Sequence, residues 1–137
     1  MPTLNGVLET ALYVDDMARA RRFYEEILDL APIYEDTRLC AYEAGTRSVL
    51  LLFQRGSSTE TVTMPGGTIP PHDGSGPLHV AFAISASELP DWEECLRLHN
   101  VPIEGRTDWR RGGHSLYFRD PDGNLLELAT PGLWTVY

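Results

Sequence analysis

Residues 9–16 read ETALYVDD, and residues 79–86 read HVAFAISA. Laid one on the other, they place Glu9 on His79, Ala11 on Ala81, Leu12 on Phe82 and Val14 on Ile84. The same offset carries Pro32-Ile33 onto Pro102-Ile103. Between these points a two-residue shift aligns FYEEIL (23–28) with DWEECL (91–96). Further along, LCAY (39–42) matches HSLY (114–117), and VLLLF (49–53) matches LLELA (125–129). A series of matches in one order along the chain is the signature of a duplicated module.

Each copy reads strand, helix, strand, strand, strand. In the first, residues 7–14 alternate as a strand, and Asp15 or Asp16 can cap a helix of about 14 residues. Its apolar positions Met17, Ala20, Tyr24, Ile27 and Leu28 recur at helical spacing. Pro32 stops it, and strands are expected near 33–37, 39–44 and 47–54. In the second copy, residues 78–85 form a strand and Ser87 caps a helix whose Pro90 falls in the tolerant first turn. Strands near 102–107, 114–119 and 124–130 complete it, with Asp120-Pro121-Asp122-Gly123 as a tight turn. The sequence therefore predicts an α+β fold of two βαβββ modules that form an open, curved, mixed β-sheet. It reads as one domain, 1–137, with modules at about 5–54 and 78–131. Residues 55–77, rich in Gly, Pro, Ser and Thr, link them.

The strand faces carry the chemistry. Side chains alternate across a strand. Leu8, Thr10, Leu12 and Val14 form one face of the first strand, with Glu9, Ala11 and Tyr13 on the other. In the strand at 78–85, Leu78, Val80, Phe82 and Ile84 oppose His79, Ala81 and Ala83. In the last strand, Leu126 and Leu128 oppose Leu125, Glu127 and Ala129. One face is bulky and suits helices; the other combines an ionisable residue with small alanines that leave space. This predicts a cavity lined by Glu9, His79 and Glu127, with Ser115, Tyr117 and Arg119 facing it from the preceding strand. Two carboxylates beside one imidazole in a half-enclosed site repel each other unless a proton or a cation compensates them. A divalent ion held by Glu9, His79 and Glu127 is the economical solution. Carboxylate and imidazole ligands suit Mn, Fe, Ni, Zn or Co. Three protein ligands leave positions for water or substrate.

Composition narrows the function further. The chain has 137 residues with 11 basic against 20 acidic side chains, for a formal net charge of −9. That balance argues against nucleic-acid binding, which needs a basic footprint. Every basic residue is an arginine, so Schiff-base chemistry on lysine and a lysine-bearing phosphate loop are excluded. No apolar run has the length of a membrane span, and MPTLNGV lacks the pattern of a signal peptide. Cys40 and Cys95 read as thiols in a reducing compartment, which places the protein in the cytoplasm.

The stretches ETALYVDDMARARRFYEEIL (9–28) and GGHSLYFRDPDGNLLELATP (112–131) make the chain resemble the vicinal oxygen chelate superfamily. That group includes glyoxalase I, extradiol dioxygenases, fosfomycin-resistance transferases, methylmalonyl-CoA epimerase and bleomycin-resistance proteins. The resemblance implies modules that curve around a metal and maps the ligands onto Glu9, His79 and Glu127. It departs in two places. The first position is ordinarily histidine or glutamine, and here is glutamate. The fourth ligand of glyoxalase I falls near Leu51, which is apolar. Ser115 and Tyr117 match the GxSxYF pattern of the fosfomycin transferases. The function this implies is a metal-dependent lyase, isomerase, transferase or dioxygenase acting on a small oxygen-rich molecule. Glu9 and Glu127 are then catalytic as well as ligating, Ser115, Tyr117 and Arg119 bind substrate, and the chain forms a homodimer. The alternative is a metal-free, bleomycin-resistance-like protein that binds a small molecule, to which an acidic surface would suit a cationic ligand.

Overall fold

The computed structural model describes all residues, 1–137, as two compact units, Met1–Ser75 and Gly76–Tyr137. In the first, strand β1 (Glu9–Val14) leads into helix α1 (Met17–Arg22), whose last turn, Phe23–Ile27, widens to π-helical geometry. Strands β2 (Pro32–Glu35), β3 (Leu39–Glu43) and β4 (Val49–Gln54) follow. The sheet order is β1-β4-β3-β2, with β1 parallel to β4 and the other pairs antiparallel. A short hairpin of β5 (Val62–Met64) and β6 (Gly67–Ile69) then interrupts the segment expected to be only a linker.

The second unit repeats the plan. Strand β7 (His79–Ala83) leads through a 3₁₀ turn (Ala86–Glu88) into helix α2 (Leu89–Leu98). Strands β8 (Gly105–Asp108), β9 (His114–Arg119) and β10 (Leu125–Ala129) close the sheet in the order β7-β10-β9-β8. Again the first strand of the unit runs parallel to the last.

The helices form where expected, with local differences. Asp16 caps α1, its Oδ1 accepting the Arg19 amide at 3.0 Å, while Asp15 pairs with Arg55. The helix ends at residue 27 because Asp29 turns into the left-handed region (φ 54°), and the Leu30 amide bonds back to the Tyr24 carbonyl. Asn100 does the same after α2 (φ 56°); aspartate and asparagine tolerate this conformation better than branched residues. The α2 helix starts at Leu89 with no side-chain cap, so Ser87 does not serve as one.

The bulky strand faces pack on the helices. In the first unit Leu12, Val14, Leu50, Leu52 and Tyr42 are 0–2% exposed. Tyr24 of α1 stacks on Tyr42 with ring centroids 6.4 Å apart. In the second unit Leu96 of α2 and Leu116, Phe118, Leu126 and Leu128 of the sheet are 0–2% exposed. Each such side chain contributes about 1.5–3 kcal/mol by leaving water.

The strand register also corrects one repeat match. Leu39 pairs with Phe53 as Ser115 pairs with Ala129, so Ala41 corresponds to Tyr117 and Tyr42 to Phe118. The matching of 39–42 with 114–117 is therefore one residue out. A slip of one residue exchanges the two faces of a strand, and Tyr42 accordingly lies in the helix-side core.

Candidate functional site

The register of the second sheet places His79, Ala81 and Ala83 of β7 beside Leu125, Glu127 and Ala129 of β10. Across β10, Glu127 pairs with Tyr117 and Ala129 with Ser115. Directly paired residues project to the same side, so His79, Glu127, Ser115, Tyr117 and Arg119 share the face away from α2. Gly105 and Thr107 of β8 extend it.

On that face His79 and Glu127 come together. Their Nε2 and Oε1 atoms are 3.3 Å apart, although the backbone pairs His79 with Leu125 rather than with Glu127. The His79 Nδ1 lies 2.8 Å from the Leu125 carbonyl oxygen. A carbonyl only accepts, so Nδ1 carries the hydrogen and donates it. In the neutral ring Nε2 is then a bare lone pair facing a carboxylate oxygen. Two acceptors at this distance require a cation between or beside them, or a proton on Nε2. An imidazole whose other nitrogen is fixed by a backbone carbonyl is the form in which histidine commonly binds a metal. The donor set, one imidazole nitrogen and one carboxylate oxygen, fits a borderline divalent ion such as Mn, Fe, Co, Ni or Zn.

Glu127 is 6% exposed, and its second oxygen is already engaged. Ser115 donates its hydroxyl to Oε2 at 2.6 Å. Ser115 in turn accepts from the Trp109 indole Nε1 at 2.9 Å. Trp109 follows β8 in the turn to β9 and belongs to no motif of the sequence. The available signal was the alternation of 105, 107 and 109 along one face. Tyr117 borders the pair, its ring centroid 6.5 Å from that of His79.

The remaining candidates lie as follows. Arg119 donates from Nε to Glu104 at 2.7 Å and from Nη1 to the Gly123 carbonyl at 3.1 Å; it is not the partner of Glu127. Glu9 is the first residue of β1 in the first unit, exposed, and paired in register with Val49. Neither unit by itself brings three His, Cys, Asp or Glu side chains into a metal-holding group; the second unit supplies the pair. His114 bonds Asp108 at 2.7 Å, and His99 bonds the Cys95 carbonyl at the end of α2. His72 lies in the segment that follows β6. It is half-buried, accepts from or donates to the Tyr13 hydroxyl at 2.8 Å, and meets Phe53 edge-on at 4.6 Å between centroids. No helix is long and apolar enough to cross a membrane.

Comparison with known proteins agrees with this architecture. The family model of the glyoxalase/bleomycin resistance protein/dioxygenase superfamily matches residues 6–128. The metallothiol transferase FosB of Staphylococcus saprophyticus is 32% identical over 118 residues, covering 85% of this chain and 71% of that protein. The fosfomycin resistance protein FosX of Listeria innocua is 27% identical over 131 residues, covering 91% and 89%. The crystal structure of a lactoylglutathione lyase from Agrobacterium tumefaciens superposes with a TM-score of 0.87 at 30% identity, over 98% of this chain and 99% of that one. With the repeat, the sheet order and the matched residues in agreement, the chain belongs to the glyoxalase/bleomycin resistance protein/dioxygenase superfamily.

Proposed function

We propose that the protein is a divalent-metal enzyme acting on a small oxygen-rich molecule, with His79 and Glu127 as metal ligands. The observation that carries this reading is the approach of His79 Nε2 to Glu127 Oε1 at 3.3 Å with Nδ1 committed to the Leu125 carbonyl, which points one imidazole nitrogen and one carboxylate oxygen at a common position. The similarity to metallothiol transferases and to a lactoylglutathione lyase supports it. Glu9, the repeat counterpart of His79, is the proposed third ligand, and its carboxylate would serve as general base. A metal here supplies Lewis-acid stabilisation of negative charge on substrate oxygens.

The chain's own residues have separate tasks. His79 and Glu127 fix the site, Tyr117 borders it and contacts substrate, and Arg119, braced by Glu104, offers positive charge at its edge. Transferase, lyase, isomerase or dioxygenase chemistry fits such a site. The proposed assembly is a homodimer in the cytoplasm, where two thiols outside any disulfide are stable.

Protein purified without chelator should take up about one Mn, Co, Ni, Zn or Fe ion per chain, and His79→Ala should abolish uptake. Failure of the wild-type protein to bind any of them would overturn the reading. One observation favours a second reading: a protonated His79 would pair with Glu127 with no metal at all. The protein would then be a metal-free binder, and ligand affinity would survive EDTA.

A further inference from the structure

We infer that Trp109 is a positioning residue for the metal-binding carboxylate, acting through Ser115. The inference rests on the proposed role of Glu127 as ligand and adds how that ligand is aimed. An indole N–H only donates, whereas a serine hydroxyl both donates and accepts and rotates freely. With Trp109 Nε1 donating to Ser115 Oγ at 2.9 Å, the serine proton is directed to the remaining acceptor, Glu127 Oε2, at 2.6 Å. The serine is 1% exposed, so water does not compete for the hydroxyl. Oε2 is thereby occupied, and Oε1, the oxygen that faces His79, is the one left for a metal. The relay selects one oxygen and disfavours bidentate binding.

The duplicated first unit supplies an internal comparison. Its counterparts of Ser115 and Glu127 are Leu39 and Leu51, so hydroxyl and carboxylate are both absent there. It also lacks room for the indole. Two residues separate the bonded pair Asp36 and Leu39, whereas seven separate the equivalent pair Thr107 and Ser115. Trp109 belongs to this longer hairpin, held there by its amide bond to the Gly113 carbonyl at 2.8 Å. The extended hairpin, the hydroxyl and the carboxylate therefore occur together in one unit and are missing together in the other.

The test is Co(II) binding by calorimetry, with the visible d–d spectrum as a readout of coordination, on wild type, Trp109→Phe, Ser115→Ala and the double variant. Loss of an outer-sphere partner typically weakens metal binding ~10- to 100-fold, which is the expectation for Ser115→Ala. Trp109→Phe keeps the ring, and should weaken binding about 3- to 10-fold, below that range, because the hydroxyl remains but is no longer aimed. The double variant should bind no worse than Ser115→Ala alone, since residues acting through one another are not additive. The d–d bands should change in both single variants. Unaltered affinity and spectrum in Trp109→Phe, or fully additive losses, would overturn the role of Trp109 while leaving the metal reading intact. Absence of Co(II) binding in the wild type would overturn both. Unchanged far-ultraviolet circular dichroism of each variant separates positioning from loss of fold.

Discussion

Leu51 occupies in the first sheet the register position that Glu127 occupies in the second: Leu51 lies beside Ala11, and Glu127 beside Ala81. The two halves thus share a backbone plan and differ in chemistry. A carboxylate at this position has to be compensated, and only the second half provides the imidazole, the hydroxyl and the indole that do so. A leucine needs none of them. The duplication keeps the scaffold in both units and concentrates the polar pair in one.

Substitution at Glu127 should therefore separate binding from folding. Glu127→Gln removes the charge and should weaken metal affinity by more than the ~10- to 100-fold typical of outer-sphere changes. Glu127→Leu, which imitates position 51, should also abolish metal uptake. Glu127→Leu takes the acceptor from the buried Ser115 hydroxyl whereas Glu127→Gln keeps one, so in metal-free protein the leucine variant should melt below the glutamine variant, by about 1–3 kcal/mol of stability. Calorimetric titration and thermal melts in EDTA measure the two effects. Retained affinity in both variants would remove Glu127 from the ligand set.

Much of this was legible because strand faces follow a period of two. Alternation alone put His79, Glu127, Ser115, Tyr117 and Arg119 on one side and Leu116, Phe118, Leu126 and Leu128 on the other, as the register has them. The mismatch at Tyr42 and Tyr117 has a simple origin. Identity of residue type suggested an equivalence that the pairing of β3 with β4 does not allow. The hairpin at 62–69 was hidden by composition, although Pro65-Gly66 is itself a turn signal. Alternation of 105, 107 and 109 points Trp109 to this face, but its link to Ser115 depends on how the longer turn folds back. The ion pair between Arg119 and Glu104 joins residues 15 positions apart, beyond what periodicity within one strand can reveal.

The segment after β4 should be anchored through Tyr13. Its ring stacks on Phe53, its hydroxyl meets His72, and a Cβ at Gly74 would come within 2.5 Å of the ring. Gly74→Ala should overpack this contact and cost about 1–3 kcal/mol, and Tyr13→Phe about 1 kcal/mol for the lost hydrogen bond. Burial first, and then the charge of Asp73, raise the Tyr13 phenol above its ordinary range. The folded state thus holds this proton more tightly than the unfolded state. The resulting stability is complete below about pH 10 and is lost as pH rises through the raised value. Urea unfolding from pH 8 to 11.5 measures it. An identical pH dependence in Tyr13→Phe would disprove the anchor.

The two thiols should react at different rates. Cys40 is 1% exposed in the helix-side core of the first unit. Burial pushes its thiol above the ordinary range, outweighing the Tyr42 hydrogen bond and the Arg21 charge that act the other way. The thiolate is the reactive form, so Cys40 should resist a disulfide reagent at pH 8. Cys95, half-buried on α2, should react first. Native protein should titrate one thiol quickly and the second only on unfolding. Two equally fast thiols in the native protein would contradict the packing around Cys40.

Gly112 and Gly113 stand side by side in the turn that carries Trp109, yet their substitution should have unequal effects. Gly112 has a positive φ of 93° and no atom within 4 Å of a built Cβ. Gly112→Ala should therefore cost only backbone strain, about 1–3 kcal/mol. At Gly113 a Cβ would lie 2.8 Å from the Gly132 carbonyl carbon and 2.9 Å from the Pro131 carbonyl oxygen. These are backbone atoms and cannot rotate away. The same junction is tied by the His114 amide, which donates to Thr130 Oγ1 at 2.8 Å. Gly113→Ala must push residues 130–133 off the start of β9, and Gly113 also accepts the Trp109 amide. The variant should be less stable than Gly112→Ala in urea and should weaken Co(II) binding. Gly112→Ala, whose Cβ would meet no neighbour, should weaken that affinity less than Gly113→Ala does. Equal metal affinity in the two variants would show that the hairpin does not govern the carboxylate.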